Sequence, residues 1–351
     1  MYTITLEVNQ ICNLRCSYCY LGEKSKRIMS DKVAYQGLEI AFLNVEKHKD
    51  RRLWVDFVGG EALLSFSFLK KLVEYIEKTA TERNITVSYS ITTNGSIMTN
   101  EILMWLIKNR VHLKLSIDGK AEIHDRNRKT IAGAGSYASI AKNIAFFKEY
   151  ETQAKQYIQV AHVITQNNYE EAFESVSHLV ENLGFKVVDS SIDVIHRWTK
   201  EQLDRLADEW KRILLYFIKR SKEGNEFLWG PFLDLQKYDK VEKSGFCGVG
   251  IIRTYISVDG KIFGCAANLA ESGCLGDVER GVSIEKIKQY RQLAQSTEIC
   301  LDCNVHRSCQ NKKCIMNSLA YSGRTDGYNP DMCYFENKKI KIWEEYQRSK
   351  N

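Results

Sequence analysis

Short runs of β-branched and aromatic residues alternate with longer stretches whose apolar positions recur at helical spacing. The short runs predict strands at Thr3–Val8, Arg52–Val58, Thr86–Ile91, Val111–Ile117, Tyr157–Ile164 and Lys186–Val194. The periodic stretches predict helices at Asp31–Lys47, Phe66–Thr81, Asn100–Lys108, Tyr137–Tyr150 and Tyr169–Asn182. Ser30 and Thr99 stand where N-caps belong, and Gly184 where a C′ glycine would close a helix. Parallel strands need a crossover between them, so this repetition implies an α/β fold with a parallel sheet. Six strand–helix units fall short of an eight-fold barrel. The expected architecture is a partial (β/α)6 TIM-like barrel.

The strands alternate in polarity, where buried parallel strands usually read as continuous apolar runs. Leu113 and Leu115 share one face, Lys114 and Ser116 the other. Ile4, Leu6 and Val8 oppose Thr5, Glu7 and Asn9. Asp56, His162 and Asp193 also fall on strands. Helices covering the apolar face would leave the polar face turned inward. Such a lumen either receives polar ligands or satisfies its own polar groups, because unpaired buried ones are costly.

After the repeats comes an amphipathic helix, Thr199 to about Gly224, and then an irregular connector. The remaining chain is rich in cysteine, with little helix expected before a charged tail near 334–350. The expected domains are 1–197 (barrel), 198–246 (linking helix and connector), 247–333 (cysteine-rich) and 334–351 (charged helix).

Composition narrows the classes. The chain has 351 residues, 44% hydrophobic and 27% charged, an ordinary globular balance. No stretch approaches the length of a membrane span, and the first residues lack a secretory pattern, which points to the cytoplasm. A formal charge of +6 is mild, and a run such as Lys338-Lys339-Ile340-Lys341 reads as a solvated helix face rather than a nucleic-acid patch. Eleven cysteines, an odd number, suggest metal ligation or redox chemistry rather than disulfides.

The unusual residues gather where strands end. Cys12, Cys16 and Cys19 follow the first strand and Gly59-Gly60-Glu61 the second. Asn94 lies in the TTNG after the third, Ser116 and Asp118 at the end of the fourth. Thr165–Asn168 follow the fifth, and His196 and Arg197 the sixth. The C-terminal edge of parallel strands is where α/β proteins place their chemistry. Three thiolates on a [4Fe–4S] cluster leave one iron open, whereas a structural zinc would be closed by four ligands. Zinc remains the alternative on spacing alone.

The C-x3-C-x-Φ-C pattern with Tyr18 as the aromatic, followed by Gly59-Gly60-Glu61, resembles the radical SAM superfamily. The resemblance covers about residues 1–197. It implies that Cys12, Cys16 and Cys19 bind a [4Fe–4S] cluster whose open iron chelates S-adenosylmethionine. Tyr18, Gly59, Gly60, Glu61, Asn94, Ser116, Asp118 and Val163 then contact that cofactor: the GGE turn its amine, the strand-three and strand-four ends its ribose, Val163 its adenine. Arg128, or alternatively Arg126, clamps its carboxylate, a task suited to a bidentate guanidinium.

The later cysteines resemble the SPASM extension of peptide-modifying members. That implies an outer auxiliary cluster on Cys300, Cys303, Cys309 and Cys333. The inner cluster would use Cys247, Cys265 and Cys314. Cys274 is the candidate fourth ligand, a buried free thiol being its alternative. Three [4Fe–4S] clusters would then account for all eleven cysteines. The last gap in the pattern is four residues where three is usual.

The implied activity is reductive cleavage of S-adenosylmethionine to a 5′-deoxyadenosyl radical, hydrogen abstraction from a ribosomally made peptide, and an oxidative intramolecular crosslink through a thioether, carbon–carbon or ether bond. Alternatives are an anaerobic sulfatase-maturating (formylglycine-generating) enzyme, a peptide epimerase and, more remotely, a non-catalytic iron–sulfur carrier. Sulfatase maturases place a basic aspartate where this chain has Ala266, and an extra cysteine that it lacks. Both departures favour the crosslinker. Implied partners are a precursor peptide, a separate peptide-recognition protein and an electron donor such as flavodoxin or ferredoxin, with no nucleic acid and no membrane. Cys12 lies so near the first residue that no peptide-binding domain is expected before the barrel.

Overall fold

The computed structural model describes residues 1–236, 248–293, 300, 302, 303, 305, 309, 314–323 and 327–348. Cys247 lies outside them. The strands, in chain order, are β1 (Tyr2–Asn9), β2 (Leu14–Cys16), β3 (Arg52–Gly59), β4 (Thr86–Thr93), β5 (His112–Ser116), β6 (Arg128–Thr130), β7 (Gln159–Ile164), β8 (Val187–Ile192), β9 (Leu228–Trp229), β10 (Arg253–Ile256), β11 (Lys261–Phe263), β12 (Cys274–Asp277) and β13 (Gly281–Val282). The six strands read from the sequence are β1, β3, β4, β5, β7 and β8. The fold is mixed α/β with parallel strands at its centre. Among the described residues, no helix is long and apolar enough to cross a membrane.

Two compact units divide the chain. The first comprises Met1–Ser116, Arg128–Ile158 and Gly248–Gln289; the second Ile117–Asn127, Gln159–Cys247 and Tyr290–Asn351. In the first, strand order runs β13-β12-β11-β10-β1-β3-β4-β5. The run from β10 to β5 is parallel, with Ile4 opposite both Val55 and Thr254. β11, β12 and β13 add an antiparallel meander. The first strand of the chain is thus interior, and Ile4, Leu6 and Val8 are fully buried. In the second unit β7, β8 and β9 run parallel.

Capping sets the helix starts as the sequence predicts. Ser30 accepts from Val33 N and Thr99 from Ile102 N, while Thr199 and Gln202 form a reciprocal capping box. Gly184 takes φ +66°, the left-handed turn a helix end favours. Helix 66–82 buries Leu69, Leu72, Val73 and Ile76, one stripe at helical spacing.

Several expectations change. The segment read as helix 137–150 divides into Tyr137–Ala141 and Ile144–Ala154, and Asn143 at the break donates its amide to the Gly95 carbonyl at 2.9 Å. The stretch 169–182 begins as a 3-10 turn and ends in a wide π turn. The connector is not wholly irregular: β9 pairs with β8, and helix Gly230–Gln236 follows. A Cβ at Gly230 would meet Asp189 Oδ1 at 2.3 Å, so a larger residue there would have to push the Asp189 carboxylate aside. The cysteine-rich region carries more helix than expected, at Ile284–Leu293, Ile315–Ser322 and Pro330–Arg348.

The polar strand faces partly satisfy themselves. In the first unit Trp54 Nε1 donates to Ser90 Oγ at 2.8 Å, Ser90 donates to Asp56, and Lys114 Nζ reaches Asp56 Oδ1 at 3.2 Å. In the second, Ser190 Oγ bonds His162 Nδ1 at 3.0 Å and accepts from Trp229 Nε1 at 3.2 Å.

Candidate functional site

In the first unit the cysteine loop starts where β1 stops. Cys12 is buried, and β2 runs through Cys16. β2 pairs antiparallel with β6, placing Leu14 opposite Thr130 and Cys16 opposite Arg128. Cys19 N donates to Cys16 O at 3.3 Å and Gly22 N to Cys19 O at 3.0 Å, folding the last two thiols into consecutive turns.

The Gly59-Gly60-Glu61 turn lies directly on the backbone leading into that loop. Gly60 N donates to Asn9 O at 3.0 Å and Glu61 N to Ile11 O at 2.8 Å. A Cβ at Gly59 would stand 2.4 Å from Asn9 O, and one at Gly60 2.3 Å from Ile11 O. Both positions must therefore be glycine for the turn to seat. Asn9 Nδ2 donates to Glu61 O at 3.0 Å and Ser65 Oγ at 2.7 Å, while its Oδ1 is buried without a partner.

Glu61 is buried and already engaged. Its carboxylate accepts from Leu63 N at 3.1 Å and Asn94 N at 2.7 Å, and burial pushes its carboxyl above the usual carboxylate range. Asn94 continues the chain of contacts, donating to Asn13 Oδ1 at 2.9 Å with Cys12 Sγ 3.9 Å away. Glu61 and Asn94 therefore tie the strand ends to the cysteine loop.

The two arginine candidates separate clearly. Arg128 is buried on β6, its guanidinium 5.2 Å from the centre of the Tyr18 ring. Arg126 is 42% exposed and bound to Glu171 at 2.9 Å and to the Asn167 carbonyl at 2.8 Å, all within the second unit. Ser116 is buried at the end of β5.

The second unit carries its own strand-end constellation. Asp118 accepts from Val163 N at 3.0 Å and donates its backbone N–H to His124 Nδ1 at 3.1 Å. Asn127 donates to Thr165 Oγ1 at 3.0 Å, and Thr165 N donates to Asn168 Oδ1 at 2.6 Å. Beyond β8, His196 Nδ1 bonds the buried Asp193 carboxylate.

Comparison with known proteins bears on this arrangement. Residues 4–140 match the model of the 4Fe-4S single cluster domain. The chain is 25% identical over 331 residues to the cysteine-type anaerobic sulfatase-maturating enzyme of Clostridium perfringens, covering 89% of this chain and 85% of that protein. It is 21% identical over 324 residues to the radical SAM cyclopropyl synthase TigE of Paramaledivibacter caminithermalis, covering 87% and 66%. The chain is thus similar over most of its length to sulfatase-maturating enzymes and to a radical SAM synthase. Its fold also superposes on native anSMEcpe with bound AdoMet, with a TM-score of 0.80 at 20% identity, covering 99% and 97% of the two chains.

The chemistry of the first unit fits a radical SAM cofactor set. Three thiols share one loop. A buried guanidinium faces the loop from the adjoining strand, suited to a carboxylate. The buried Asn9 Oδ1 is an acceptor lacking a donor, and an ammonium supplies donors only. The sequence reading passed over Asn9, although it stands on the polar face of β1 immediately before the loop. The β2–β6 pairing left no signal in either short segment.

The later cysteines fall in both units. In the first, Cys265 is half-buried. Cys274 is buried in an apolar cluster with Val58, Tyr255 and Phe263, its thiol donating to Gly276 O at 3.4 Å. Ala266 and Leu269 pack on the same cluster. Glu271, the next carboxylate along the chain, is 78% exposed and paired with Lys261 at 3.3 Å. In the second unit Cys303 N donates to Cys300 O at 3.3 Å, Cys309 is buried, and Cys333 lies in helix 330–348. Among the described residues, no three cysteine, histidine or carboxylate side chains converge as they would around a single ion.

Proposed function

We propose that this radical SAM enzyme oxidises a ribosomally made peptide and closes an intramolecular crosslink in it. Cys12, Cys16 and Cys19 hold the [4Fe–4S] cluster. Arg128 receives the carboxylate of S-adenosylmethionine, and Asn9 Oδ1 with the GGE turn receives its ammonium. When bound, this pair supplies one-electron chemistry that removes a hydrogen atom from an unactivated bond. The protein's part is to bind, orient and shield. Glu61 keeps the turn seated on the cysteine loop, and the Tyr18 ring braces Arg128. The other eight cysteines hold two further clusters in the sets assigned above, which accept or relay electrons.

The observation that carries crosslinking over formylglycine formation is Ala266. Where sulfatase maturases are expected to carry an aspartate base, this chain places a methyl group on an apolar cluster. A positioned base typically contributes about 10²–10⁴-fold. Formylglycine formation is the second reading, favoured by the similarity to the Clostridium perfringens enzyme.

One experiment separates them. Reduced protein and S-adenosylmethionine are incubated with a synthetic C-x-P-x-R peptide and, separately, with synthetic copies of the short peptides encoded beside the gene. The expected result is a ring-containing product that has lost a pair of hydrogens and no heavy atom, from one of the latter peptides. Efficient formylglycine formation would reverse the ranking. A methylated product, or one epimerised at unchanged mass, would exclude both.

A further inference from the structure

Tyr255 on β10 carries a hydroxyl that the fold leaves unpaired. The residue is 1% exposed, and among the described residues none bonds its Oη. Its ring packs with Val58, Phe263 and Cys274. A buried hydroxyl without a partner costs free energy, so a position that needed only the ring would be served as well by phenylalanine.

The first unit shows where this hydroxyl stands. Strand register sets Tyr255 beside Thr5, Thr5 beside Asp56 and Asp56 beside Ser90, one row on the polar face of the sheet. Glu7 lies one step further along the same face of β1. The polar groups whose fields reach the Tyr255 hydroxyl are Tyr20, Glu7 and Cys19, and the Tyr20 hydroxyl in turn feels Glu7, Cys19 and Asp56. Tyr20 thus stands over the row, immediately after Cys19 in the chain, and is 39% exposed. Lys114, which reaches Asp56, is 30% exposed. The row is closed at Tyr255 and open toward Tyr20 and Lys114.

The neighbours decide what the hydroxyl can receive. Glu7 and Asp56 repel an anion. Asp56 is matched by Lys114 at 3.2 Å and also accepts from Ser90. Both Glu7 oxygens are taken, Oε1 by Gln10 Nε2 at 3.0 Å and Oε2 by Val258 N at 3.1 Å. Neither carboxylate is left to call for a cation. A phenol is neutral at ordinary pH and has one proton to donate. The complementary group is an uncharged oxygen acceptor, which along a peptide is the main-chain amide carbonyl.

We propose that the Tyr255 hydroxyl donates to an amide carbonyl of the bound peptide; this rests on the peptide reading above. The hydroxyl gains its partner from the peptide, so the residue sets where along the sheet face the peptide chain lies.

The test uses the full-length protein without reductant, so that nothing turns over. The probes are fluorescein-labelled copies of the C-x-P-x-R peptide and of the short peptides encoded beside the gene. Fluorescence anisotropy reads the Kd, and urea denaturation of the same protein reads the midpoint. Tyr255→Phe keeps the ring and should weaken binding about 2- to 10-fold, the range of a lost neutral hydrogen bond, without lowering the urea midpoint. Placing one thioamide at a time along the peptide installs a weaker acceptor. One position should cost affinity in wild type and nothing further in Tyr255→Phe. An unchanged Kd in the variant overturns the inference. So does a lowered midpoint, which would mean that the hydroxyl already holds a structural partner such as a buried water. So does a scan in which no position loses its effect in the variant. A wild type that binds none of the peptides fails the peptide reading itself, and the inference falls with it.

Discussion

Gly60→Ala should damage this protein far more than its single added methyl suggests. Gly60 has no positive φ, so the cost is purely one of space. The new Cβ would lie 2.3 Å from Ile11 O, 2.6 Å from Ile11 C and 2.9 Å from Gln10 C, all rigid backbone. The turn must lift, breaking the Gly60 N–Asn9 O and Glu61 N–Ile11 O bonds at 3.0 and 2.8 Å. Each backbone bond is worth about 1 kcal/mol net. Overpacking adds about 1–3 kcal/mol. A loss of about 3–5 kcal/mol is a large share of the roughly 5–15 kcal/mol that typical domains possess. The assay is the urea midpoint of the metal-free protein, with iron retained after reconstitution as a second reading, since Ile11 adjoins Cys12. Gly133→Ala is the control: φ is +82° there and no atom lies within 4 Å, so only the backbone penalty of about 1–2 kcal/mol applies. If Gly60→Ala costs no more than Gly133→Ala, or keeps full iron, the turn does not brace the loop and the reasoning fails.

Arg128→Met should weaken S-adenosylmethionine binding about 10- to 100-fold by calorimetry, the value of a charged hydrogen-bonded contact, while Arg126→Met should change it little. Replacing Cys12, Cys16 and Cys19 together by alanine should remove one cluster's worth of iron and abolish S-adenosylmethionine cleavage; zinc in place of iron in the intact protein would sink the assignment. Glu7 has its carboxyl raised, chiefly by burial, against hydrogen bonds from Gln10 and Val258 N that lower it. Its folded form therefore holds the proton more tightly than the unfolded chain, and stability falls as pH rises from the ordinary carboxylate range to the raised value. Glu7→Gln should remove that slope, so the wild-type-minus-variant difference in urea midpoint should grow more negative over this window and then level off.

What the sequence revealed depended on range. The strands and the N-caps at Ser30 and Thr99 are local decisions, and period and capping chemistry exposed them. The break at Asn143 escaped notice because its amide is committed to Gly95, a partner far away in sequence. Arg128 could be preferred over Arg126 only through resemblance; the reason is the pairing of Cys16 with Arg128, which neither three-residue segment announces. Glu61, expected with the GGE turn at an ammonium, also accepts from the Leu63 and Asn94 amides, a bracing role that the motif does not announce. Motif residues show that a site exists, but not which of them touch ligand and which hold the others still.

The interior place of β1 has a consequence for how the protein is made. Thr3 to Leu6 pair on one side with β3 and on the other with Arg253 to Ile256 of β10. The ribosome delivers the first strand at once and its second neighbour only after some 250 residues, roughly 10–50 s at ordinary elongation rates. Through that interval one edge of a buried, apolar strand stands open, a template for pairing with any other nascent chain. Overproduction should then favour inclusion bodies when translation outpaces protection, and slower synthesis or more chaperone should raise the soluble yield. A fragment ending before β10 would keep that edge open permanently.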